Sequence, residues 1–200
     1  SAGSGLLPAL VPGEGDGELV PVSYAQRRLW LLAQLDGGSA AYNVPTVVRF
    51  SPGLELPVLE AALNDVVERH APLRTVFEAV DGEPFQRVLA PERARLTVEQ
   101  RRVDADGLDA GLAEAAGRVF DLASEIPVRA TLLRLDDDSA VLALVLHHIA
   151  TDGLSNGIFF ADLERAYAAR AAGGGSVLEP LAVRYADYAA WQRRVLGPAG

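Results

Sequence analysis

An α/β fold is predicted, a two-layer sandwich in which helices flank a mixed β-sheet. Three observations carry this expectation. Strand-period and helix-period segments interleave along the chain, and some strands fall in adjacent hairpin pairs. The third is AVLALVL at 140–146, apolar at every position, as suits a central strand buried on both faces. Two hundred residues suffice for one domain, or for one lobe of a larger one.

The elements follow in order. Residues 1–18 are rich in Gly, Pro and Ala and read as a linker, leaving 19–200 as the folded unit. SYAQRRLWLLAQL at 23–35 reads as a helix, with Ser23 as N-cap and Gln26 completing a capping box. VPTVVRF at 44–50 is a strand. At 56–70, Val58, Leu59, Ala62, Leu63, Val66 and Val67 recur at helical spacing. LRTVFEAV at 73–80 and PFQRVL at 84–89 flank Asp81–Gly82 and predict a hairpin. A strand at 96–103 and a helix at 108–120 come next. VRATLLRL at 128–135 and AVLALVLHHI at 140–149 form a second hairpin across DDDS. A helix runs from about Ser155 to Arg170, GGG at 173–175 breaks it, and 183–196 forms the last helix. In that helix Tyr185, Tyr188 and Trp191 share one face and are expected to pack in the core.

Composition narrows the function. A net charge of −9 repels nucleic acid and anionic lipid. The 18 basic residues are all arginine and form no stripe. With no cysteine, disulfides, thiolate metal sites and a cysteine nucleophile are excluded. No apolar stretch is long enough to cross a bilayer and no signal peptide is evident, so a cytoplasmic protein is expected. The absence of an initiator Met and the ending LGPAG suggest a piece of a longer protein.

Chemistry concentrates in LHHIATDGLS at 146–155. Successive strand side chains point to opposite faces, so His147 and His148 cannot both look into one cleft. Gly153 permits a positive φ or close backbone approach, and its amide near a helix N-terminus suits developing negative charge. Three readings are open: two core histidines bonded to backbone, a metal site built from the imidazoles and Asp152, or a catalytic imidazole with a structural carboxylate. The metal reading is weak, since neighbours on opposite faces share an ion poorly and the remaining histidine is the distant His70.

Four segments resemble, in order and with compatible spacing, core motifs of the condensation domains of nonribosomal peptide synthetases. SYAQRRLWLL at 23–32 is similar to S-x-A-Q-x-R-L-W-x-L, and RHAPLRTVF at 69–77 to R-H-E-x-L-R-T-x-F. LHHIATDGLS is similar to H-H-x-x-x-D-G, and YADYAAWQ at 185–192 to Y-x-D-Y-A-x-W-Q. Ala71 stands where the family usually has glutamate, and Leu154 where tryptophan or valine is common.

The resemblance implies one lobe of a chloramphenicol acetyltransferase-like fold, the N-terminal one, with the histidine motif at the floor of a tunnel closed by a C-terminal lobe. It implies peptide bond formation between a donor peptidyl or aminoacyl thioester and an acceptor aminoacyl thioester. His148 would position the acceptor amine and take its proton, with His147 structural. Asp152 would turn from the substrates and pair with Arg74 to hold the loop, with Gly153 at the turn. Implied partners are upstream and downstream peptidyl carrier proteins bearing the substrates on 4′-phosphopantetheine arms, the adenylation domains of the same synthetase, and the C-terminal lobe. No cofactor or metal is bound directly, and the lobe alone is expected to be inactive. YNVP at 42–45 and the LWLLAQL helix look most like domains taking a D-configured donor. The alternatives are a non-catalytic platform for carrier proteins and a coenzyme A-dependent acyltransferase sharing H-x-x-x-D-G.

Overall fold

The computed structural model describes residues 7–13, 17–35, 37–152 and 155–197. Along the chain the elements are β1 (Leu19–Pro21), α1 (Tyr24–Leu35), β2 (Asn43–Phe50), α2 (Leu56–Arg69), β3 (Thr75–Val80), β4 (Glu83–Val88), β5 (Val98–Arg102), α3 (Leu108–Gly117), β6 (Val128–Arg134), β7 (Ala140–His147), α4 (Ser155–Ala171) and α5 (Tyr185–Leu196). Mixed sheets flanked by helices make this the expected α/β architecture, with one difference. The strands divide between two sheets. A four-stranded sheet has the order β2–β7–β6–β5, antiparallel except for the parallel β5–β6 pair. The hairpin of β3 and β4 instead joins β1 in a separate antiparallel sheet of order β1–β4–β3. The three-residue β1 is too short to show a period in the sequence.

β7 is the centre of the molecule. All eight of its residues are buried, as an unbroken apolar run requires. Leu142, Leu144 and Leu146 pack on one side with Leu59, Leu63 and Val66 of α2 and Phe159 and Leu163 of α4. On the other side Val141 meets Leu108 and Leu133, and Val145 meets Trp30, Phe77 and Phe120. The alternation therefore assigns even and odd positions to different layers. Asp65 of α2, itself buried, accepts two hydrogen bonds from Arg170 of α4 at 2.8 and 2.6 Å, fastening the helix pair over the sheet.

Local chemistry explains most boundaries. Ser23 and Gln26 form the predicted capping box: Gln26 Oε1 accepts from Ser23 N at 2.9 Å, and Gln26 N donates to Ser23 Oγ at 3.1 Å. Asp81 and Gly82 turn the hairpin with φ of 52° and 82°, the two positive values a tight two-residue turn demands. Strand β3 begins later than its pattern suggests, because Ala71–Arg74, with Pro72 early in it, coils into a 3-10 turn. Helix α3 ends earlier than expected, at Gly117. There Arg129 takes the carbonyls of Arg118 and Val119 at 2.9 and 2.8 Å and lies 4.0 Å over the Phe120 ring. Residues 7–13 are exposed yet tied to α5, with Trp191 Nε1 donating to Pro8 O at 2.6 Å and Gly13 N to Asp187 Oδ1 at 3.0 Å.

α1 is stitched to the small sheet by two fully buried carboxamides. Gln86 Nε2 donates to Gln26 Oε1 at 3.2 Å and to Pro21 O at 3.1 Å. Replacing Gln86 by Leu takes the donor from Pro21 O and the acceptor from Gln26 Nε2, which donates to Gln86 Oε1 at 3.4 Å, without opening a cavity. Urea unfolding of Gln86→Leu should show a loss of about 1–3 kcal/mol; no loss would mean the pair contributes nothing to stability.

Candidate functional site

The site forms where β7 runs out. His147 is its last residue, paired with Asn43 of β2, and the chain then turns through 148–150. The turn is pinned by backbone bonds: His147 N to Pro127 O at 3.0 Å, His148 N to Tyr42 O at 2.8 Å, and Ala150 N to His147 O at 3.0 Å. The two imidazoles enter opposite environments.

His147 continues the odd-numbered layer. It is 2 % exposed, its ring edge-on to Phe120 at 5.9 Å and tilted against Tyr42 at 6.2 Å. Its Nδ1 accepts from Ile149 N at 3.1 Å, which places the ring proton on Nε2. Burial pushes its pKa from 6.5 down to about 4, and the charge of neighbouring His148 acts in the same direction. His147 is thus a neutral structural ring.

His148 is exposed and lines a cleft of about 530 Å³, together with Gln26, Arg28 and Leu29 of α1, Pro72 and Asp152. Its Nδ1 lies 2.7 Å from the Thr151 carbonyl oxygen. A carbonyl can only accept, so Nδ1 carries the proton and Nε2 of the neutral ring keeps its lone pair. A backbone carbonyl three residues on therefore fixes both the tautomer and the tilt of the ring. With one ring in the core and the other in the cleft, the two histidines cannot ligate one ion. Among the described residues no group of three or more His, Asp or Glu is placed to hold a metal.

The flanking residues shape this loop. Asp152 Oδ1 accepts from Ser155 N at 2.8 Å and Ser155 Oγ at 2.6 Å, capping the first turn of α4. Thr151 Oγ1 donates to Asn156 Oδ1 at 3.2 Å. Gly153 lies outside the described residues. Arg74 is buried, not a surface strand residue, and donates to the carbonyls of Glu68 at 3.2 Å and of Leu89. The structure brings His148 and Asp152 to one cleft and leaves His147 behind it.

Other groups went unread in the sequence. Gln26 lines the cleft wall as well as capping α1, and the Thr151 carbonyl carries no residue-type signal at all. His70 and Arg69 converge on the buried carboxylate of Asp162, at 2.8 and 3.0 Å, locking the end of α2 to α4. Tyr185, Tyr188 and Trp191 are not core residues, contrary to expectation. Tyr185 is 37 % exposed and lines the His148 cleft, Tyr188 and Trp191 are half-buried, and the three rings lie 5.4 and 6.0 Å apart along one side of α5. The buried face belongs to Ala186, Asp187 and Ala189, because small residues let α5 approach β1 closely.

Comparison with known proteins now adds identity to geometry. The Condensation domain family matches residues 17–199. The chain is 48 % identical over 181 residues to an isonitrile lipopeptide synthase of Mycobacterium tuberculosis, covering 89 % of the chain and 7 % of that protein. It is 45 % identical over 190 residues to a dimodular nonribosomal peptide synthase of Bacillus subtilis, covering 95 % and 8 %. Among solved structures, the X-domain in its complex with OxyB from teicoplanin biosynthesis superposes with a TM-score of 0.87 at 36 % identity, covering 97 % of this chain and 42 % of that one. The chain thus spans less than a tenth of these two relatives and under half of the matched structure.

The state of His147 has a measurable consequence. The unfolded ring takes up a proton below about pH 6.5, whereas the native ring resists it down to about 4. Its contribution to stability is therefore full above pH 6.5 and lost as the pH falls towards 4, by at most about 3 kcal/mol. Urea unfolding at pH 7.5 and 4.5 should show a smaller difference for His147→Asn than for the parent. An equal difference would remove His147 as its source.

Proposed function

Because the chain belongs to the Condensation domain family, we propose that its cleft forms a peptide bond between two carrier-bound substrates. The observation that carries this reading is the bond from His148 Nδ1 to the Thr151 carbonyl, which leaves Nε2 as a lone-pair acceptor in an open cleft. The amine nitrogen of the acceptor aminoacyl thioester attacks the thioester carbonyl of the donor, forming the C–N bond. The tetrahedral adduct carries an ammonium, whose proton passes to His148 Nε2. Collapse of the oxyanion breaks the C–S bond, and the departing thiolate takes that proton back.

A free α-amine has a pKa of roughly 7.7–8.0, so a usable fraction is neutral before attack. His148 therefore orients the nitrogen first and accepts its proton late. Orientation of this kind contributes at least as much as proton transfer itself, about 10²–10⁴-fold. Asp152 supports the ring indirectly by capping α4 and closing the loop that carries the Thr151 carbonyl, while Arg74 braces the 3-10 turn that bears Pro72. The substrates arrive on phosphopantetheine arms of peptidyl carrier proteins loaded by adenylation domains, and a second lobe completes the cleft. The likeness to an X-domain solved with OxyB favours one other reading, a docking platform without chemistry.

His148→Ala in a protein that includes both lobes should lower condensation of loaded carriers by about 10²–10⁴-fold, with the thermal melt unchanged because the ring is exposed. Unchanged turnover would refute the catalytic role and leave the docking reading. The present chain mixed with both loaded carriers should give no product above background.

A further inference from the structure

Beside the cleft lies a second cavity of about 100 Å³. The two share Pro72, Ala150, Thr151 and Ser155, so the small one is a side pocket of the loop that carries His148. Apart from His70 its remaining wall is apolar: Leu73, Leu146 and Phe159 are buried core residues, and Ile158 of α4 stands at its edge, 57 % exposed.

The polar groups in that wall are each engaged within the fold. His70 Nε2 is held by Asp162 at 2.8 Å, Thr151 Oγ1 by Asn156 at 3.2 Å, and Ser155 Oγ by Asp152 at 2.6 Å. With those donors engaged, a polar or charged group entering the pocket would give up water and meet mostly apolar wall. Size narrows the occupant further. An apolar cavity of roughly 150 Å³ accepts benzene, so this smaller one suits a branched aliphatic chain of three or four carbons and excludes an aromatic ring.

We infer that this pocket takes a valine- or leucine-like side chain of one of the two aminoacyl substrates and so sets the specificity of the condensation reaction. The inference rests on the function proposed above. A side chain seated between Leu146 and Ile158 lies behind the Ala150–Thr151 wall that the pocket shares with the His148 cleft, which suits a residue whose α-carbon carries a reacting group. The donor and the acceptor each have such a residue, and both present the same chemistry.

The test uses a protein containing both lobes, with carriers loaded with alanyl, valyl, leucyl or phenylalanyl groups. One arm varies the donor against a glycyl acceptor, and the other varies the acceptor against a glycyl donor. In one arm kcat/KM should favour valyl or leucyl over alanyl, and over phenylalanyl, by roughly 10-fold or more. Ile158→Trp, at an exposed position, should fill the pocket and abolish the preference for leucyl over alanyl. Ile158→Ala should widen it and raise phenylalanyl. A flat profile in both arms, or a preference unmoved by both substitutions, would overturn the inference. Absence of turnover with every pair would instead overturn the function on which it rests.

Discussion

The site depends on the burial of β7 up to its last residue and no further. An apolar strand between two others has no freedom to shift register, because a slip of one residue would send Leu142, Leu144 and Leu146 into the opposite layer. The strand thus delivers His147 to the core and His148 to the cleft by the same alternation that packs the leucines. Phe120 and Tyr42 close over the first ring, and the Thr151 carbonyl holds the second. The cleft-facing ring is aimed by a backbone that the core makes rigid.

Around that strand end, residues of the four motifs act mostly as scaffolding. Gln26 and Gln86 meet in the interior to fix α1 against the small sheet, which sets the opposite wall of the cleft. Arg69 and His70 reach Asp162 and fix α2 to α4, so the second motif and the helix after the third are one packed unit. Asp187 in the fourth motif caps α5 through the Arg184 amide at 2.8 Å, where the Arg184 side chain and the Gly13 amide also hold its carboxyl below the usual range against the cost of burial. Buried carboxylates of this kind are tolerated because each has a cation or amide in contact. Set against these braced groups, His148 turns its ring into the cleft.

The sequence by itself determined the fold class, the order of elements and the family. Helical and strand periods, the Asp81–Gly82 turn and the Ser23–Gln26 box are local signals, fixed by residues a few positions apart. The opposite facing of His147 and His148 was legible for the same reason, since alternation is a property of any strand. The four motifs, taken together, identified the family that the comparisons bear out.

Tertiary structure decided what depends on distant partners. The split into two sheets follows from β1 finding β4 across more than sixty residues of chain, which no local pattern records. The half-buried aromatic ladder on α5 was unreadable because helical spacing says that three rings share a face, not how far that face is covered. The tautomer of His148 depends on a carbonyl, and carbonyls are the same in every residue. The pocket between Leu146, Ile158 and His70 exists only because α2, β7 and α4 converge there, and convergence is a property of packing rather than of sequence.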